Sequence, residues 1–121
     1  MIKVSLGCGR KKMDGYVGLD IQDFGWNIIW EANNSLPINV QNCDLIEAYN
    51  FIEHIDRKTA IKVFNSCWAA LNKGGIMKVL VPNAEKHIDL ALCDPEHLSL
   101  WVKGTFTQYL TGNRPRNYNG A

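Results

Sequence analysis

Residues 3–9 read Lys-Val-Ser-Leu-Gly-Cys-Gly, and residues 16–20 read Tyr-Val-Gly-Leu-Asp. Each apolar run ends in residues suited to a ligand, a Gly-x-Gly turn in the first and one aspartate in the second. Glycine lets the backbone approach a ligand closely, and a carboxylate can accept hydrogen bonds from both hydroxyls of a ribose. The two segments predict adjacent parallel strands with a nucleoside-containing cofactor across their carboxyl ends.

Three more strands and at least two helices are predicted further along the chain. The apolar runs that predict strands are residues 27–30, 44–50 and 76–81. The clearest helix begins after Asp56, a good N-cap, and is expected to stop at the glycine pair Gly74-Gly75. Its predicted buried face follows the i, i+3, i+7, i+10 spacing of one helix side, with Ala60 and Cys67 flanking it: Ile61, Phe64, Trp68 and Leu71.

A second helix is predicted over residues 84–93 and another over 98–110, before a polar loop at 111–121. Alternating strands and helices indicate an α/β fold with a mainly parallel sheet of about five strands. In such sheets a ligand binds outside the carboxyl ends of the strands, where the strand order reverses. The sequence therefore predicts one domain, residues 1–121, with its site at that edge.

Composition and charge exclude several classes of protein. With 46% hydrophobic and 21% charged residues, the chain has a globular composition. A formal net charge of +1 without a basic stripe gives no indication of nucleic-acid binding. No apolar run has the length of a membrane span, and no leader-like segment follows Met1.

Four cysteines, Cys8, Cys43, Cys67 and Cys93, lie far apart in the sequence. Their spacing, and that of the three histidines, matches no metal-ligand motif, so no metal site is predicted. We expect reduced thiols and a cytoplasmic protein.

The Gly-x-Gly segment fits a nicotinamide dinucleotide poorly. That fingerprint needs a third glycine, whereas Arg10-Lys11-Lys12 follows Gly9 here. The connection at residues 7–15 is also too short for a long helix, whose N-terminal dipole would hold a pyrophosphate. A nucleoside cofactor without phosphates fits better.

Six short motifs occur in the order found in class I S-adenosylmethionine-dependent methyltransferases. They are Leu6-Gly7-Cys8-Gly9, Gly18-Leu19-Asp20, Leu36-Pro37-Ile38, Phe51-Ile52-Glu53-His54-Ile55, Leu71-Asn72-Lys73-Gly74-Gly75 and Val81-Pro82-Asn83. Together they cover about residues 2–110 and most resemble the small bacterial and phage-type members, in which a short loop replaces the first helix. The resemblance implies a Rossmann-like sheet, S-adenosylmethionine as cofactor and S-adenosylhomocysteine as product.

The resemblance also implies cofactor contacts. Asp20 would accept hydrogen bonds from the ribose hydroxyls, and Ile21 would pack on the adenine. Asn50 would approach the amino-acid end of the cofactor. The remaining contacts would come from the glycine segment and from the residues before the Leu-Pro turn: Leu6, Gly7, Cys8, Gly9, Glu31 and Ala32. Two alternatives stay open, since the glycines alone are also typical of a tight turn and Glu31 of a surface carboxylate.

Three residues are weak candidates for catalysis. In the pair Glu53-His54 one side chain is a candidate general base; alternatively, Glu53 stabilises the amino end of the next helix and His54 packs beside it. His97 resembles a histidine that follows the fifth strand in the family, and two roles stay open for it: it would face the acceptor, or it would cap the last helix.

The implied activity is methyl transfer to an unidentified oxygen or nitrogen acceptor. The alternative is a cofactor-binding module without transfer activity. The family's sheet ends in an antiparallel hairpin for which these 121 residues leave no room, so we expect either a truncated chain or a minimal domain. The strand at 76–81 would then be an apolar edge, which either association into a homodimer or the last segment of the chain would cover.

Overall fold

A computed structural model describes residues 1–86, 88–99, 101 and 105. Its five strands form one sheet in the order β3-β2-β1-β4-β5, and every neighbouring pair is parallel. This confirms the predicted α/β fold with a parallel sheet of about five strands. The strands are β1 (Lys3–Leu6), β2 (Tyr16–Asp20), β3 (Ile28–Ile29), β4 (Cys43–Tyr49) and β5 (Leu71–Leu80).

The strand order reverses beside β1. From β1 the chain moves outward through β2 to β3, then crosses back to place β4 and β5 on the other side of β1. The carboxyl ends of β1, β2 and β4 therefore flank the switch point, where open parallel sheets bind ligands. As predicted, the connection at residues 7–15 contains no helix.

Helix α1 (Arg57–Ala70) links β4 to β5 and begins where the sequence predicts. Asp56 is its N-cap, because the side-chain Oδ1 accepts a hydrogen bond of 2.7 Å from the backbone N–H of Thr59. A short 3-10 helix, Ile52–His54, precedes it.

The predicted buried face of α1 is confirmed at Phe64 and at the flanking Ala60 and Cys67, which are buried, but it is wrong at Trp68 and Ile61. Trp68 is 81% exposed and Ile61 is 40% exposed. The residues that follow the same i, i+3, i+7, i+10 spacing from one position earlier are buried instead: Ala60, Val63, Cys67 and Ala70. Apart from Phe64, the α1 side chains buried against the sheet are therefore small or medium in size, and Trp68 and Ile61 project outward.

The predicted glycine stop is also wrong. Helix α1 ends at Ala70, and β5 begins at Leu71 without an intervening loop. Cys43 of β4 pairs with Leu71, but Leu45 pairs with Ile76, so β5 bulges between these two pairs. Gly74, with a φ of +83°, lies in this bulge.

The core lies on the α1 side of the sheet. Its centre consists of fully buried residues from β1, β2 and β4: Val4, Leu6, Leu19, Ile46 and Ala48. Trp101 closes one side, with its ring edge-on to Phe64 at 6.0 Å between centroids. The opposite face of the sheet carries a polar pair, since the Tyr16 hydroxyl donates to Glu47 Oε1 at 2.8 Å.

The segment after β5 agrees with the sequence only in part. The predicted helix at 84–93 is shorter, α2 (Ile88–Cys93), and residues 84–86 form a turn. Most of the helix predicted over 98–110 and the whole loop predicted at 111–121 lie outside the described residues. The expectation that the chain lacks the family's antiparallel hairpin is therefore not tested. No helix formed by the described residues is long and apolar enough to cross a bilayer.

Candidate functional site

A cleft of about 550 Å³ opens at the carboxyl ends of β1, β2 and β4. This volume is within the range of roughly 300–1,000 Å³ usual for small-molecule and cofactor sites. Most lining residues lie at or just after the ends of β1, β2, β3 and β4 or at the start of α1, and Glu96 and Leu98 come from the segment after α2. The residues that line the cleft are Gly7, Asp20, Ile21, Trp30, Glu31, Ala32, Asn33, Asn50, Phe51, His54, Ile55, Asp56, Thr59, Glu96 and Leu98.

The loop after β1 is fixed against the end of β2 by its own backbone. The N–H groups of Gly7 and Cys8 both donate to the Leu19 carbonyl, at 2.8 and 3.2 Å. The next N–H, that of Gly9, donates to Asp20 Oδ2 at 3.1 Å. All three donors are therefore bonded within the protein, which leaves none of them for a phosphate group.

Glycine is required at position 7 for two reasons. Its φ of +63° lies in the left-handed region, which residues with a Cβ adopt only at a cost. A Cβ there would also lie 2.7 Å from Cδ1 of Phe51, whose ring lines the cleft. The chain after β1 thus passes in direct contact with the chain after β4.

The orientation of the Asp20 carboxylate is held by two backbone groups. Oδ2 accepts from Gly9 N–H and Oδ1 accepts from Gln22 N–H, each at 3.1 Å. Because a carboxylate offers about four acceptor positions, each oxygen keeps one for a ligand. This arrangement fits a vicinal diol, whose two hydroxyls can each donate to one oxygen.

The cleft is lined by acidic side chains. Asp20, Glu31, Asp56 and Glu96 contribute carboxylates, and the described lining residues include no lysine or arginine. The hydrogen bond from the Thr59 backbone N–H lowers the pKa of Asp56 below its usual value, so this carboxyl is ionised at neutral pH. Such a charge distribution favours a cationic ligand over a phosphorylated one.

The cleft brings together six of the nine predicted cofactor residues. Those that line it are Gly7, Asp20, Ile21, Glu31, Ala32 and Asn50. Leu6 is fully buried in the core beneath, and Gly9 acts through its bond to Asp20. Cys8 does not line the cleft, and burial together with the nearby Asp20 raises the pKa of its thiol to about 11. A neutral thiol is a poor nucleophile.

Of the three catalytic candidates, His54 lines the cleft. Glu53 is buried, only 3% exposed, and Asp56 rather than Glu53 caps α1. The His97 ring lies behind His54, edge-on at 4.8 Å between centroids.

Sequence reasoning missed several lining residues. Phe51 directly follows the predicted Asn50 and begins the motif at residues 51–55, so its place in the cleft could have been predicted from the sequence. Asn33 accepts from the Thr59 hydroxyl at 3.2 Å, a contact between two segments that no local pattern connects. Glu96 and Leu98 reach the cleft because Leu98 N–H donates to the Glu53 carbonyl at 2.7 Å.

Comparison with known proteins gives one solved structure of similar fold. It is an S-adenosylmethionine-dependent methyltransferase from Archaeoglobus fulgidus, with a TM-score of 0.75 and 20% sequence identity. The similarity covers 91% of this chain, which spans 58% of the length of that protein's chain. Neither a protein-family model nor a curated protein sequence matches the chain. The chain therefore has the Rossmann-like fold of a class I methyltransferase.

Proposed function

We propose that the chain binds S-adenosylmethionine in the cleft and transfers its methyl group to an oxygen or nitrogen nucleophile. The observation that carries this proposal is the Asp20 carboxylate, held at the end of β2 by Gly9 and Gln22 with one acceptor position left on each oxygen. The likeness to a methyltransferase of known structure supports the same function at the level of the fold.

The residues in the cleft suit each part of this cofactor. Asp20 accepts one hydrogen bond from each of the two ribose hydroxyls, and each such charge-assisted bond contributes about 1.5–3 kcal/mol. Ile21, 66% exposed beside Asp20, offers an apolar surface to the adenine ring. The acidic lining is attractive for the sulfonium and ammonium charges of the cofactor and unattractive for a pyrophosphate.

S-adenosylmethionine supplies a methyl group on a positively charged sulfur. A lone pair of the acceptor forms the new bond to the methyl carbon, the carbon–sulfur bond breaks, and its electron pair remains on sulfur. The acceptor then loses a proton to water or to a nearby base. His54 is the titratable catalytic candidate that lines the cleft, so we assign it to the acceptor side.

Positioning accounts for most of the rate in this scheme. Holding donor and acceptor in reactive geometry can supply about 7–11 kcal/mol of the barrier. The loop at Gly7–Gly9 and the carboxylate of Asp20 are already fixed by backbone hydrogen bonds, so the protein can provide that positioning without a dedicated nucleophile.

Calorimetric titration with S-adenosylmethionine, S-adenosylhomocysteine and a nicotinamide dinucleotide tests the cofactor. We expect the first two to bind at one per chain and the dinucleotide not to bind. Binding of the dinucleotide alone, or of none of the three, overturns the proposal. Saturable binding without release of S-adenosylhomocysteine in the presence of a broad panel of oxygen and nitrogen acceptors supports the alternative, a binding module without transfer activity.

The exposed edge of β5 supports the homodimer. In the described part of the chain β5 pairs with β4 alone, and its outward residues Ile76 and Leu80 are 55% and 53% exposed. Pairing of this edge with a second copy would cover both its apolar side chains and its open backbone groups. Sedimentation equilibrium is expected to give a dimer that Ile76→Lys converts to a monomer; a parent monomer at high concentration contradicts the proposal.

A further inference from the structure

Glu53, His54 and His97 form a compact cluster beside the cleft. One ligand-type atom from each side chain, a carboxylate oxygen and two ring nitrogens, lies within 4.8 Å of the other two. His97 is 43 positions away from His54 in the sequence, so spacing gave no sign of this arrangement. The cluster has the donor types of a divalent transition-metal site.

The buried carboxylate is the second observation that points to a ligand. Glu53 is only 3% exposed, and its Oε1 accepts no hydrogen bond from any described residue. A buried carboxylate oxygen without a partner is costly, and buried charges are normally paired or bound to a metal. A cation at the cluster would satisfy this oxygen.

Both histidines have an outer partner of the kind that orients metal ligands. Nδ1 of His54 lies 3.3 Å from the Glu96 carbonyl oxygen, and Nε2 of His97 lies 3.5 Å from Asp94 Oδ2. Metal-binding histidines commonly donate their second ring N–H to a carbonyl or carboxylate, which fixes the ring and its tautomer. One ring nitrogen of each histidine belongs to the cluster with the Glu53 carboxylate.

The backbone holds the two parts of the cluster together. The N–H of Leu98 donates to the Glu53 carbonyl at 2.7 Å, and the Ser99 hydroxyl donates to the Ile55 carbonyl at 2.8 Å. These bonds fix the segment that carries His97 against the 3-10 helix that carries Glu53 and His54. To reach the bond lengths of about 2.0–2.2 Å that Zn²⁺ prefers, the three atoms, now within 4.8 Å of one another, would close around the ion by side-chain adjustment.

We propose that Glu53, His54 and His97 bind one divalent transition-metal ion of the zinc type. Two imidazoles and one carboxylate leave a fourth tetrahedral position for water or for a molecule in the cleft that His54 lines. The test does not depend on methyl transfer, because metal binding is measured without cofactor or acceptor. With an ion bound, His54 would be a ligand on the acceptor side of the cleft and not a free base.

Competition with a chromophoric chelator tests the site on the full chain. We expect one Zn²⁺ per chain, and Glu53→Gln, His54→Gln and His97→Gln should each weaken binding by at least about tenfold. Glu85→Gln is the matched control, since Glu85 is exposed and outside the cluster. Co²⁺ should give visible absorption typical of nitrogen and oxygen ligands, without thiolate charge-transfer bands.

Thermal unfolding separates loss of the site from loss of the fold. Zn²⁺ should raise the melting temperature of the parent and of Glu85→Gln but not that of Glu53→Gln. Without metal, Glu53→Gln should be at least as stable as the parent, because the buried charge is gone. The proposal is overturned if the parent shows no stoichiometric binding, if the three cluster variants bind Zn²⁺ as tightly as the parent, or if Cys93→Ser loses binding.

Discussion

Replacing Asp20 with asparagine keeps the size of the side chain and removes its charge. An amide has one acceptor oxygen, so Asp20→Asn loses one charge-assisted bond to the ribose, worth about 1.5–3 kcal/mol, and weakens the other by about 1 kcal/mol. The sum, about 2.5–4 kcal/mol, corresponds to a loss of roughly 10²–10³-fold in affinity for S-adenosylhomocysteine.

The effect on stability should be much smaller. The asparagine oxygen can accept from only one of the two N–H groups that Asp20 now holds, those of Gly9 and Gln22. Neither group is fully buried, so the released one can bond to water at a cost of about 0.5–1.5 kcal/mol. We expect the melting temperature to fall by a few degrees, with a cooperative transition retained.

Asp23→Asn is the matched control. Asp23 is exposed, does not line the cleft, and its Oδ1 accepts from the Gly25 N–H at 2.9 Å in a nearby turn. The asparagine oxygen can still accept from Gly25, so this variant should lose at most about 0.5 kcal/mol of stability and no affinity. Calorimetric titration and thermal unfolding of both variants test the assignment of Asp20. An affinity of Asp20→Asn within threefold of the parent, or an equal loss of affinity in both variants, would refute it.

Three further predictions follow from the fold. Gly7→Ala places a Cβ 2.7 Å from the Phe51 ring at a φ of +63°, so urea denaturation should show a loss of about 2–4 kcal/mol; an unchanged free energy of unfolding would mean that the loop moves freely. Phe64→Ala should cost about 3–5 kcal/mol because Phe64 is 8% exposed, whereas Trp68→Ala, at an 81% exposed position, should change stability by no more than about 0.5 kcal/mol; a loss for Trp68→Ala as large as that for Phe64→Ala would contradict the exposure of Trp68. Asp56→Ser keeps a capping oxygen without a charge, and the lowered pKa of Asp56 stabilises the parent above the ordinary carboxyl value of 3.8. That advantage should disappear as the pH falls through the lower folded-state pKa, and an advantage that stays constant down to about pH 2 contradicts it.

The sheet and the cofactor end of the site could be predicted because their signals are local. Each strand is a short apolar run, and residues such as Gly7 and Asp20 follow directly where those runs end. Parallel strands place their carboxyl ends at one edge, so knowing the strands is enough to bring these residues together.

The orientation of α1 could not be predicted in this way. The stripes that begin at Ala60 and at Ile61 have the same spacing, and the second is more hydrophobic. The structure buries the first stripe and, from the second, Phe64, and the spacing within the helix does not distinguish between them. Likewise, Gly74 has the local pattern of a helix stop, but only the pairing of β5 with β4 shows that it serves a bulge.

The cluster of Glu53, His54 and His97 could not be predicted from the sequence for a different reason. His97 reaches His54 through hydrogen bonds between the segments at 94–99 and 51–55, and those bonds depend on how the chain returns across the sheet after β5. No pattern within either segment encodes that meeting.

The hydrogen bonds of the loop after β1 also affect how a ligand would arrive. Ordering a flexible residue costs about 1–2 kcal/mol in backbone entropy. Hydrogen bonds to Leu19 and Asp20 already order Gly7, Cys8 and Gly9 in the folded protein. The entropy cost of ordering this loop is therefore part of the free energy of folding and not of ligand binding. Ligand capture at this end of the cleft should therefore resemble docking to a rigid body, with a heat-capacity change set by the surface that the ligand itself covers.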